Sequence, residues 1–121
     1  MAHFALGKAL CELLTENTPF IGSGFSFHNL NAFFGPNAGA PDPANDAFQD
    51  WLIETCVSPL SQSEREQRLI EWERAPSARY CHPREEHLLP LHVCLGMMGR
   101  PARLAFDDQI LGKRAVAFLW R

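Results

Sequence analysis

Imidazole is the side chain in this sequence with the most chemistry to offer, and there are five: His3, His28, His82, His87 and His92. A neutral imidazole can ligate a metal or carry a proton near neutral pH, and it also serves as an ordinary polar tip on a packed helix. Position must therefore decide, and two positions stand out. His28 lies just past Gly22-Ser23-Gly24, where the short apolar stretch Pro19-Phe20-Ile21 would end and backbone can approach a ligand closely. His87 stands beside Glu86 at the head of a strongly apolar run, a setting in which an imidazole needs a partner or a ligand. Two imidazoles and an adjacent carboxylate are donor types that non-haem Fe(II) or Zn(II) uses. They are far apart in sequence, so only folding can bring them together. His82 reads as part of the helix start at His82-Pro83, a structural role, and His3 lies within an amino-terminal helix.

Other chemistries find less support. Gly22-Ser23-Gly24 lacks the third glycine, the following helix and the acidic residue of a dinucleotide-binding turn. Ser23 and Ser26 have no nucleophile-elbow context, and no cofactor-binding motif is present. Cys11, Cys56, Cys81 and Cys94 are widely spaced with no CxxC pair, which favours four reduced thiols over disulfides or a zinc ribbon. Phe25, Phe27, Phe33 and Phe34 suit a core or pocket wall better than a base-stacking platform. Arg65, Arg68 and Arg74 are read as the solvated face of a charged helix.

The elements that must position these residues follow from periodicity. Ala2 to Glu16 predicts a helix with Phe4, Leu6, Leu10, Leu13 and Leu14 as its apolar stripe, stopped at Asn17 and Pro19. Pro19 to Ile21 predicts a buried strand ending in a tight turn at Gly22–Gly24, and His28 to Phe34 a short helix. Gly35 to Asn45 has loop composition, with nothing in it that can pack. A helix is expected from about Asp46 to Val57, with Phe48, Trp51, Leu52 and Thr55 on one face. Ser61 and Glu64 form a capping box for another helix running to Arg74, which Ala75-Pro76-Ser77 breaks. His82 to Gly99 predicts a buried helix, apolar all round, with Pro83 in its first turn, Glu85 and Glu86 favoured by its dipole, and a kink at Pro90. Ala102 to Phe106 and Arg114 to Trp120 read as two strands around a turn at Asp107-Asp108. The fold class is α/β: part of a central mixed sheet flanked by helices, ending in a β-hairpin or strand pair.

Composition limits the partners. The 121 residues form one domain at most, and 46% hydrophobic with 21% charged residues is globular usage rather than disorder. Eleven basic against fourteen acidic side chains give a net charge of −3, which argues against nucleic acid and anionic membrane. No apolar run reaches the roughly 18 residues that span a bilayer, and Lys8 and Glu12 interrupt any secretory signal. Cytoplasm is the expected compartment.

Two strings together carry a family resemblance: PFIGSGFSFHNL (Pro19 to Leu30) and APSARYCHPREEHLLPLHVCLGMMG (Ala75 to Gly99). They resemble the C-terminal half of class III extradiol ring-opening dioxygenases, in the branch typified by 4,5-DOPA dioxygenase. HFALGKAL (His3 to Leu10) and FQDWL (Phe48 to Leu52) resemble neighbouring helices of that branch, so the likeness covers almost the whole chain. It implies an α/β fold, a non-haem Fe(II) centre that Zn(II) can also occupy, and a catechol-type small-molecule substrate cleaved with O2. It implies that His28 is a catalytic and metal-site residue, as ligand or acid/base, and that His87 is the second metal-site residue. Glu86 is the position for a carboxylate ligand or a residue just behind the ligands. The resemblance also implies a longer domain, of which residues 1–121 are the C-terminal half. A His-Gly-x-Pro motif and another histidine, expected in the N-terminal half or a second subunit, would complete the metal site. A homo-oligomer is compatible with this reading. The alternative is a catalytically inactive remnant that serves as a binding or dimerisation module.

Overall fold

Helix α3 (Pro43–Val57) organises the structure, a computed structural model that describes residues 2–14 and 19–120. The helix begins sharply because the Asp42 side chain accepts from the Asn45 amide and Pro43 needs no donor at the first helical position. Phe48, Leu52 and Cys56, each four residues from the next, are wholly buried against Leu69, Trp72, Ala78, Cys81 and Val116. Burial pushes the Cys56 thiol up to about 12, so it packs as a small neutral side chain. The predicted face of this helix is found, but the helix starts three residues before Asp46. Asn45, read as loop, is fully buried and donates to the Arg114 carbonyl.

Helix α1 (Ala2–Leu10) lies across α6 (Leu89–Met98). Their backbones meet where neither helix has a side chain. A β-carbon on Gly96 would stand 2.7 Å from the Phe4 carbonyl, and one on Gly7 would stand 2.8 Å from the Met97 amide nitrogen. The buried face of α1 is therefore Phe4 and Gly7, whereas Leu6 and Leu13 of the expected stripe are exposed. The expected helical residues Thr15 and Glu16 and the stop at Asn17 lie outside the described residues. No residue of α6 is exposed, as its apolar composition predicts. Its start differs from expectation. Residues 82–88 form bends and turns, and Pro90 sits in the first turn of α6, where its missing amide hydrogen costs nothing. Pro90 begins the helix rather than kinking it, and Gly99 closes it in the left-handed conformation.

The short helix α2 (Leu30–Phe34) is capped by Asn29, and α4 (Gln62–Ile70) carries the predicted capping box between Ser61 and Glu64. α4 ends at Ile70, before a single tight turn over Trp72–Arg74 and the short helix α5 (Ala78–Cys81). Arg65 is a correction to the solvated-face reading: its side chain is fully buried. Its guanidinium donates to the Thr55, Ser58 and Leu60 carbonyls, closing the C-terminal end of α3 and the turn beyond it.

Strands β1 (Arg103–Ile110) and β2 (Lys113–Leu119) form the antiparallel hairpin, with a register shift between Leu104 and Phe106. The turn is Leu111-Gly112, both with positive φ, rather than Asp107-Asp108. Asp107 is inside β1, where its carboxylate accepts two hydrogen bonds from Arg114. Lys113 is buried against Asp42 at 3.2 Å, tying the 35–42 loop to β2. Burial opposes ionisation of Asp42, yet hydrogen bonds from Tyr80, Asn45 and Lys113 hold its carboxyl below the usual range. The structure is thus a mixed α and β fold with a C-terminal strand pair. The predicted strand at Pro19–Ile21 is absent: that stretch is exposed and has no sheet partner.

Candidate functional site

The site grows from one well-held segment, Ser26-Phe27-His28. The Ser26 carbonyl accepts from Gln49 Nε2 of α3 at 2.9 Å and faces His82 Nε2 at 2.8 Å. The Ser26 hydroxyl accepts from the Val116 amide of β2 at 2.9 Å, and the His28 amide donates to the Cys81 carbonyl at 2.8 Å. Between them Phe27 is wholly buried, edge-on to Phe33. Asn29 then donates to the Tyr80 carbonyl while capping α2. His28 is consequently fixed in backbone, with its ring half-buried.

His87 arrives from the other side. Leu88, buried beside it, anchors the turn that leads into α6. The glycines of the GSG string make the approach feasible in a way other than the expected tight turn. Neither Gly22 nor Gly24 has positive φ. Instead a β-carbon on Gly24 would collide with the His87 carbonyl, and one on Gly22 with the Cys94 sulfur. The extended chain lies flat on the start of α6 because these residues have no side chain. The result is that the His28 and His87 rings stack, with centroids 3.6 Å apart and 15° between their planes.

The structure thus brings together the two histidines singled out in the sequence. Glu86 is placed differently: its carboxylate pairs with Arg84 at 2.7 Å on the surface. Among the described residues no group of three His, Cys, Asp or Glu side chains is arranged to hold a metal. His92 is buried at the α1–α6 contact, with Nε2 2.6 Å from the Leu69 carbonyl, and burial holds its pKa below the ordinary value. The described cysteines form no disulfide. Burial pushes the Cys81 thiol up to about 12 and raises that of Cys94, so neither is an activated nucleophile.

His82 is the residue whose place the sequence understated. Its ring is fully buried, and its Nδ1 has no hydrogen-bond partner among the described residues. Burial brings its pKa down to about 4, opposed by the Ser26 carbonyl and reinforced by the charges that His28 and His87 would carry. Gln49, on the helix predicted from about Asp46 to Val57, gave no signal of a site role at all, because only the fold turns its amide toward Ser26. Beside His87 opens a cavity of about 450 Å³, walled by Phe25, Pro90, Cys94, Met97, Val116 and Trp120. Its wall is largely apolar, suited to an aromatic ring or to a packed neighbouring segment.

A half-formed imidazole site at the junction of a glycine-bearing extended segment and an apolar helix, in a mixed α and β fold, agrees with the comparisons. The chain belongs to the family described as the catalytic LigB subunit of aromatic ring-opening dioxygenase, whose profile matches residues 1–114. Among individual relatives it is 30% identical to the dioxygenase tasH of Hapsidospora irregularis, over 98% of this chain and 39% of that protein. It is 35% identical to the 4,5-DOPA dioxygenase extradiol of Beta vulgaris, over 84% of this chain and 36% of the relative. The enzyme of the same name from Mirabilis jalapa is 34% identical, over 81% and 35%. The chain spans well under half the length of these relatives. Among the described residues, no helix is long and apolar enough to cross a membrane.

Proposed function

We propose that this chain carries the carboxy-terminal share of an extradiol aromatic ring-opening dioxygenase that cleaves a catechol such as DOPA. The observation that carries this reading is the meeting of His28 and His87 ring to ring beside an apolar cavity. The donor set fits part of a metal centre. Two imidazoles are the right ligands for Fe(II), or Zn(II) in the same place, but such centres take three or more protein ligands. The remaining donors then come from a segment outside these 121 residues or from a second subunit. The bound metal would hold catechol and O2 side by side, so that both oxygen atoms enter the opened ring and no external reductant is consumed. In this chain's own part of the work, His28 and His87 bind and orient, and a half-buried His28 can also pass the proton of a catechol hydroxyl. Reduced thiols support a cytoplasmic setting for the reaction.

The second reading, an inactive module for binding or dimerisation, is favoured by the missing third donor among the described residues. The two separate in one experiment. The chain is assayed for iron content, oxygen uptake and ring opening with DOPA, alone and mixed with the amino-terminal part of a family member. The expected result is activity in the mixture only, abolished by His28→Ala or His87→Ala with folding retained. A mixture that binds no iron and consumes no oxygen leaves the module reading, and sedimentation then tests for a homodimer. Full turnover in either variant removes that histidine from the site.

A further inference from the structure

We propose that His82 and Gln49 are positioning residues for His28: both donate to the Ser26 carbonyl, and this shared anchor sets the His28 ring over His87. The inference rests on the reading of His28 and His87 as the site pair, and it goes further by assigning work to two residues that touch neither ring's expected ligand. The geometry leaves little choice of proton placement. A carbonyl oxygen only accepts, so a ring nitrogen 2.8 Å from the Ser26 carbonyl must carry its hydrogen. The neutral His82 ring is therefore the Nε2–H tautomer, with Nδ1 as a bare lone pair, consistent with that atom's lack of a partner among the described residues. Gln49 is committed in the same way. Its Nε2 gives one hydrogen to the Ser26 carbonyl and one to Asn45 Oδ1 at 2.8 Å, leaving Oε1 unmatched. Both side chains are fully buried, and each gives up satisfaction of an acceptor to make this one contact.

A core packed only for stability would fill these two positions with apolar side chains at lower cost, because each unmatched buried acceptor carries a desolvation penalty. What the pair secures is direction. The Ser26 carbonyl receives one donor from α3 and one from the turn after α5, so the peptide plane preceding Phe27 cannot rotate without breaking both. With the Val116 amide on the Ser26 hydroxyl and the Cys81 carbonyl on the His28 amide, the segment is held from four places. His28 is two residues from the doubly held carbonyl, and its ring lands in face-to-face contact with His87.

The test is made by NMR on the chain itself, so it does not depend on catalysis. Long-range nitrogen–proton spectra of the wild-type protein at pH 7 should show His82 as the neutral Nε2–H form. An Nδ1–H tautomer at His82, which leaves Nε2 without a hydrogen to donate, would overturn the proposal, whatever any variant does. His82→Leu should abolish the upfield ring-current displacement that stacking imposes on the His28 and His87 ring protons, while methyl dispersion is kept. His82→Gln, which returns an N–H donor at similar reach, should restore it. Stacked shifts unchanged in a folded His82→Leu would refute the positioning role. If that variant does not fold, Gln49→Leu removes the other donor and is read in the same way. A ring response as expected, followed by a reconstituted mixture that cleaves no catechol, would keep this inference and sink only the proposed activity.

Discussion

Two adjoining stretches of the same extended chain are treated in opposite ways. Ser26 to His28 is tied to α3, β2 and the α5 region by backbone and buried side-chain hydrogen bonds, and Phe27 has no exposed surface. Pro19 to Phe25, immediately before it, is exposed throughout, with Ile21 at 89%, and joins no sheet. The contrast separates what this chain builds by itself from what it leaves open. The parts that orient the two histidines are finished. The exposed run of Phe20, Ile21 and Phe25 is the kind of surface that marks a contact still to be made.

The strongest way to break the contrast is at Phe27. Phe27→Ala empties a fully buried aromatic site, and the expected loss is about 3–5 kcal/mol of unfolding free energy in a denaturant titration. A loss under about 1 kcal/mol would mean that the held segment is not part of the core. Acid should act next most strongly. His82 titrates near 4 in the folded chain against about 6.5 when unfolded, so the unfolded state binds the extra proton between those values. Stability from this residue is complete above pH 6.5 and is lost as pH falls toward 4. Between pH 7 and pH 5 the loss should be about 2 kcal/mol, with His92 adding in the same direction. His82→Gln should remove the His82 part of that slope. An unchanged slope would show that His82 is not buried as a neutral ring.

Other positions differ in how far their sequence signals reach. The Ser61–Glu64 capping box, the buried face of α3 and the burial of α6 on every side are local signals, and each is found where its pattern points. Pro90 and the glycines of GSG carry ambiguous signals. Proline fits either a kink or a helix start, and the turns over residues 82–88 decide it. Glycine fits either a positive φ or a close approach, and the start of α6 decides it. Arg65 misled because its charge is typical of a solvated face, while its three backbone carbonyl partners exist only after α3 ends beside it. The pairing of His28 with His87 could not be read from spacing. It came from the resemblance of two strings, and the ring stack supplies its geometry.

Smaller effects sharpen the boundary between the two stretches. On β2, Val116 stands opposite Asp107, and its amide points away from β1 to the Ser26 hydroxyl, which serves where a third strand would. Ser26→Ala leaves that buried donor unmatched, so a loss of about 1–2 kcal/mol and faster hydrogen exchange at the Val116 amide are expected. Protection equal to wild type would show that another group satisfies the amide.

Ile21→Ser is the complementary change and the smallest in this chain. The side chain is almost fully exposed, so its removal should alter unfolding free energy by less than about 0.5 kcal/mol. In the mixture with the amino-terminal part of a family member the same substitution acts on a contact. If the open stretch is where that part docks, Ile21 becomes buried there, and deleting its apolar surface should weaken association by about 1–2 kcal/mol, roughly tenfold in Kd. Binding by titration calorimetry measures this directly. Equal affinity for wild type and Ile21→Ser would place the docking face elsewhere, and the exposed apolar run would then be a surface of this chain in its own right.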